Sequence, residues 1–124
     1  MANPNIVNVN AIYGQTSAVN LSTTNATAIV SNASASSEVL KINSIYVVNT
    51  DGTNSADITI SYYGAAALGG TAYPIASTIT VPADSSLVIV ERNSAIYVEE
   101  DRSIGATASA ANDLTVICSY EKIS

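Results

Sequence analysis

Glu38-Val39-Leu40-Lys41-Ile42-Asn43-Ser44-Ile45-Tyr46-Val47-Val48-Asn49 is the stretch on which the fold turns. Its branched and aromatic side chains pack well on a pleated surface and fit poorly in a helix. Leu40, Ile42, Tyr46 and Val48 share one parity with Ser44 as the small member, which predicts a long strand with one buried face. Asp51-Gly52 follows as a turn dipeptide. Ala56 to Tyr63 then sets Ile58 and Ile60 against Asp57, Thr59 and Ser61, so the two runs read as an antiparallel hairpin.

Toward the N-terminus the same chemistry continues in shorter pieces. Ile6 to Tyr13 ends at Gly14, and Ser17–Leu21 and Ala26–Val30 are candidate strands separated by Ser22-Thr23-Thr24-Asn25. Asn32 to Ser37 is small and polar and reads as a loop with no core position. Toward the C-terminus, Gly64 to Gly70 is a glycine-bounded apolar tip, read as one turn of helix packed locally. Thr71–Ser77 and Thr78–Val81 carry Pro74, with Pro82 just beyond, and proline removes a ladder donor and so favours edge or terminal positions. Leu87–Glu91, Ala95–Glu99, Ser103–Ala110 and Leu114–Tyr120 complete the series. Roughly nine to eleven short strands with turn signals between them, and no amphipathic helix, predict an all-β fold, an antiparallel β-sandwich or jelly roll. No repeat or composition break divides residues 1–124, which read as one domain.

Composition narrows the function. The 124 residues include 10 Asp or Glu and 4 Lys or Arg, a formal net charge of −6, with no His, Trp or Phe and one Cys. Without His there is no imidazole base for a Ser-His or Cys-His pair and no His metal ligand, so a conventional enzyme is not expected. Lys41, Arg92, Arg102 and Lys122 are too few to neutralise many phosphates, and an acidic chain repels nucleic acid at long range. The apolar runs fall far short of the ~20 residues that span a bilayer, and the N-terminus lacks the basic start and apolar stretch of a secretory signal. A soluble protein made in the cytoplasm is therefore expected, with no membrane partner. Cys118, alone in Leu114-Thr115-Val116-Ile117-Cys118-Ser119-Tyr120, has no intrachain disulfide partner and reads as a small buried hydrophobe.

No constellation announces catalysis, a cofactor or a metal. Glu99-Glu100-Asp101-Arg102 offers three carboxylates that suit a hard cation, but a solvated turn partly neutralised by Arg102 explains it better. Asp51 to Asp57 lacks the third-position ligand and the terminal Glu of a helix-loop-helix calcium site. A glycan-binding role would need an aromatic shelf, drawn here from Tyr62, Tyr63 and Tyr73; adjacent Tyr62 and Tyr63 point to opposite faces of a strand, one inward and one outward. Within residues 1–10, Asn3, Pro4, Asn5, Ile6, Val7 and Val9 form an extended arm suited to pairing with a neighbouring subunit, or else the first strand of the chain's own sheet.

Four stretches carry a resemblance. They are Asp51-Gly52-Thr53-Asn54-Ser55-Ala56-Asp57-Ile58-Thr59, Pro74 to Asp84, Ile96-Tyr97-Val98-Glu99-Glu100, and Thr107 to Leu114 with Ser119-Tyr120-Glu121. In order and wording they resemble a family of small virion proteins of marine tailed phages, cyanophages in particular. The resemblance spans residues 1–124 and transfers no active-site residue. It implies a non-enzymatic virion structural protein, first a capsid decoration or cement protein binding the major capsid protein of the assembled shell. A neck, tail or fibre part is the alternative, and a glycan-binding module the alternative from another class. It further implies a homo-oligomer, first a trimer, located in the virion.

Overall fold

The computed structural model describes residues 3–124. Nine strands form: β1 (Ile12–Asn20), β2 (Thr27–Asn32), β3 (Val39–Asn49), β4 (Ala56–Ala65), β5 (Gly69–Val81), β6 (Ser86–Val90), β7 (Ile96–Val98), β8 (Arg102–Ala108) and β9 (Leu114–Ile123). Single 3-10 turns occupy Ala66–Leu68 and Arg92–Ser94. The first sheet runs β1-β9-β3-β6, with β7 also paired to β3, and the second runs β2-β8-β4-β5; every pairing is antiparallel. The fold is thus the all-β sandwich that the strand pattern predicts.

The chain changes sheet at almost every connection, and β4–β5 is the one pair of consecutive strands bonded to each other among the described residues. The expected hairpin between the 38–49 and 56–63 runs does not form. β3 is flanked by β9 on one side and by β6 and β7 on the other, while β4 lies between β8 and β5 in the opposite sheet. Both runs are apolar on one face, and laying those faces against each other covers both at once, which side-by-side pairing would not do. Ile42, Ile45 and Val47 thereby meet Ile58, Ile60 and Ile104 in one core completed by Leu21, Val90, Val98, Leu114, Val116 and Cys118.

The parity expected along β3 also changes midway. The β3–β9 register slips between Ile42 and Ser44, so the buried positions run Leu40, Ile42, then Ile45, Val47 and Asn49. Tyr46 and Val48 consequently stand on the outer face. An extra residue at Asn43 accounts for the switch, because side chains alternate with a period of two.

Two asparagine amides join the sheets at opposite ends of β3. Asn49 Nδ2 donates to Val81 O at 2.9 Å and to Asn54 O at 3.0 Å. Asn32 Nδ2 donates to Glu38 O at 2.8 Å and to Val98 O at 3.1 Å, while its Oδ1 accepts from Ser36 Oγ. Both residues are buried, so Asn32 closes β2 inside the molecule and does not belong to an exposed loop. Satisfied buried amides fix the relative position of two layers more narrowly than apolar packing does.

Two further boundaries differ from the sequence reading. β1 runs straight through Gly14, joining two expected segments, because the register Ile12↔Ile123 to Asn20↔Thr115 continues without interruption. β5 likewise joins 71–77 with 78–81 across an irregularity at Thr78, whose φ is 50°. Pro74 lies on this edge strand, as its missing donor predicts.

Candidate functional site

The described part of the N-terminal arm, residues 3–10, is not a strand of its own sheet, and it does not project freely. Met1 and Ala2, which complete the expected arm, lie outside the described residues. A turn at Asn5, whose Oδ1 accepts from Val7 N and whose O accepts from Asn8 N, folds the segment back. Asn3 Oδ1 accepts from Glu100 N at 3.3 Å, and Asn10 and Ala11 both donate to Ser124 O. Asn3, Pro4 and Ile6 close one side of an open groove of about 250 Å³ whose other wall is Val39, Tyr97 and Glu99. The segment therefore lies over the outer face of the first sheet. Ile6 is 54% exposed and Val7 90% exposed, while Pro4 and Val9 are half-buried.

Register places the outer face of that sheet residue by residue. Ala18, Ile117, Tyr46 and Val88 form a row across β1, β9, β3 and β6, and Ile12, Ile123 and Val39 form another nearer the arm. Val39 and Ile123 are buried, whereas Ile12 and Val88 are more than half exposed. Exposed large hydrophobics are thus concentrated on the arm and first sheet: Ile6, Val7, Ile12, Tyr13, Val88 and Tyr97, against Tyr73 and Ile79 on β5.

The three tyrosines do not make one shelf. Tyr62 and Tyr73 are register partners on β4 and β5 and share a face, but Tyr62 packs against the core. Burial and the nearby Glu99 carboxylate push the Tyr62 phenol up from its ordinary range. Tyr63 points to the other face, where its ring edge crowds Gly105 and it is half-buried. Tyr73 alone of the three stands well exposed.

Tyr63 shares its cover with the 64–70 tip, which folds onto the outer face of the second sheet. Ala66 N donates to Asp101 Oδ1, Ala67 N to Ser31 Oγ and Leu68 N to Ser103 Oγ, while Ser103 Oγ donates to Ala65 O at 2.8 Å. Gly105 makes room: a Cβ there would come 2.6 Å from Leu68 Cδ2. The tip is packed locally, with Ala67, Leu68 and Gly70 at positive φ.

The acidic cluster is not the solvated turn its composition suggests. Glu100 is buried, with Oε2 accepting from Ser37 N at 3.2 Å, while Asp101 holds Ala66 and Arg102 Nη1 donates to Gly64 O and Asp101 O. Two other segments, the loop at Ser37 and the tip at Gly64 to Ala66, hold these groups, which a count of charges does not reveal. No group of three or more metal-ligating side chains comes together among the described residues. Asp51 closes an exposed turn in which donation from Thr53 N and Asn54 Nδ2 lowers its carboxyl pKa. Cys118 is buried as expected, and desolvation pushes its thiol up to about 12.

No protein-family model matches the chain, and no curated protein matches it. Among solved structures it is similar to a chain from Bacillus endospore appendages, described as a family of disulfide-linked pili. The TM-score is 0.52 at 20% identity, over 91% of this chain and 88% of that one. The likeness is one of fold. No helix among the described residues is long and apolar enough to cross a membrane.

Proposed function

We propose that the chain is a non-enzymatic structural subunit that works in many copies, through broad contacts between subunits. The observation that carries this is the concentration of exposed apolar residues on the arm and first sheet, where Ile6 and Val7 on the arm join Ile12, Val88 and Tyr97 on the outer face of the sheet, with Tyr13 exposed at the margin of its other face. A surface of that kind marks a protein contact more often than a small-molecule site. The shared fold with a pilus subunit, itself a repeated structural unit, supports the same reading, as does the scarcity of acid–base groups.

The sequence resemblance extends the proposal to a particle. The subunit belongs in a virion, made in the host cytoplasm and placed first on the capsid shell as a decoration bound to the major capsid protein, and second in the neck, tail or fibre. Binding only the assembled shell would stabilise it by mass action. The glycan-binding alternative has less support, because Tyr63 lies under the tip and Tyr62 packs against the core, leaving Tyr73 without a second well-exposed ring beside it.

Light scattering on the purified protein over a wide concentration range tests the multi-copy role; a monomer at every concentration, with no binding to shells or filaments, removes it. Mass spectrometry of particles separated into heads and tails tests the finer placement. Enrichment in heads near the copy number of the shell protein supports decoration, enrichment in tails moves it to the neck or fibre, and absence from both removes the virion.

A further inference from the structure

The charges carried by strands are distributed in an unusual way. Lys41 on β3, Asp57 on β4, Arg102 on β8 and Glu121 and Lys122 on β9 account for all of them, and each of these strands has a neighbour on both sides. β1, β2, β5, β6 and β7, which form the margins, carry none. Proteins that must stay apart do the reverse, placing Lys or Glu on edge strands so that a second chain cannot add to the ladder.

Of these margins, β1 is the one built to be continued. β5 contains Pro74, three register irregularities and the positive φ of Thr78. β2 is short, is bulged between Ala28 and Val30, and has its Ile29 carbonyl occupied by Ser17 Oγ. β6 spans five residues and runs into a 3-10 turn. β1 keeps unbroken register with β9 over nine residues and contains no proline. Ala11 and Ser124 exchange bonds in both directions and Leu21 N donates to Leu114 O, so odd-numbered residues face β9. By antiparallel alternation the N–H and C=O groups of Ile12, Gly14, Thr16, Ala18 and Asn20 point away from the sheet.

We infer that the free edge of β1 is the contact for a second copy of this chain, the two β1 strands pairing antiparallel about a two-fold axis at Thr16. This rests on the multi-copy reading and deepens it. Full overlap sets Thr16 against its counterpart, Gly14 against Ala18 and Ile12 against Asn20 as the hydrogen-bonded pairs. On the other face it sets Tyr13 against Val19 and Gln15 against Ser17. No like charges meet within the strand pair, and Ile12 and Tyr13, 52% and 61% exposed, gain cover. The pairing is two-fold, in place of the trimer expected from the resemblance.

The test uses the full chain. Thr16→Pro removes a donor that points outward and leaves the β1–β9 bonds intact; Thr16→Lys leaves the backbone intact and sets two like charges together at the axis. Each is expected to retain the wild-type circular dichroism and melting temperature while weakening dimerisation by about tenfold or more. Thr16→Cys is expected to yield a covalent dimer on mild oxidation, with buried Cys118 taking no part. Unchanged dimerisation in Thr16→Lys, or no cross-link in Thr16→Cys while the wild type still associates, overturns the β1 contact and leaves the multi-copy role standing. A wild type that never associates and binds no particle ends both.

Discussion

The side-chain amide of Asn49, the last residue of β3, donates to the carbonyl oxygen of Val81, the last residue of β5, across 2.9 Å. One hydrogen bond thus ties the two sheets where the chain leaves the first and enters the second. The same amide donates to Asn54 O and its carbonyl accepts from Asp51 N, so the crossing loop is held by one side chain. Asn49→Ala would leave the buried Val81 carbonyl without its donor and release the Asn54 carbonyl and the Asp51 N–H of the loop. The expected cost is about 1–3 kcal/mol, read as a lower midpoint in urea with an unchanged slope.

Gly105→Ala places a methyl group against Leu68 Cδ2 and Tyr63 Cε2. The tip must lift, at an expected cost of about 1–3 kcal/mol. Because the nearest atom is the far end of a flexible side chain, Leu68→Ala in the same chain should recover much of that loss. A double-mutant cycle by thermal unfolding measures the coupling, and additive effects would show that Leu68 is not what the methyl group meets.

Cys118 gives stability a pH dependence whose sign is fixed. Burial raises its pKa from 9.0 to about 12, so between those values the unfolded chain has released the thiol proton and the folded chain has kept it. The unfolded state then binds fewer protons, and stability falls as pH rises through that window, by at most about 1.4 kcal/mol per pH unit. Below pH 9 this thiol contributes no pH dependence. Tyr62 and Tyr120, also raised by burial, act in the same direction. Urea titrations at several alkaline pH values should show a shallower decline in Cys118→Ala than in the wild type. A thiol reagent should label Cys118 only as fast as the protein opens.

Removing residues 3–9 should leave the sandwich folded. The segment's bond to the rest of the protein is Asn3 Oδ1 to Glu100 N, and its apolar contacts are at the groove beside Val39 and Tyr97. We expect a loss of about 1–2 kcal/mol from exposing Val39, together with weaker association if the arm bridges subunits. Calorimetry and light scattering on the shortened chain separate the two effects. Loss of folding would make the segment part of the core and not an arm.

Strand positions were legible because Val, Ile, Thr and Tyr alternate between turn residues, and that pattern depends only on local chemistry. Which strands pair was less legible. Asp51-Gly52 looks like a hairpin turn, yet the long-range bond from Asn49 to Val81 carries the chain to the other sheet. The parity of β3 failed at Asn43, since a bulge shifts the phase without changing residue types. Glu100 looked solvated because charge predicts exposure until other segments supply donors, here the Ser37 N–H from another loop. The candidate assembly surface was half visible: the arm stood out by composition, while the uncharged margins emerge only once the strands are assigned to edges.

β9 lies between β1 and β3, so the first sheet is completed by a strand that the ribosome makes after β1 to β8. All of the chain from Leu21 to Asp113 must be synthesised after β1 and before its partner exists, a wait of ~5–20 s at ordinary elongation rates. Throughout that interval both sides of β1 are bare and neither carries a charge to discourage a stranger. On a crowded polysome, where many nascent copies are side by side, birth order thus exposes every β1 to its siblings before its own sheet can claim it. Yield should therefore fall as expression is driven harder, and slowing synthesis would worsen the exposure where slowing initiation would relieve it.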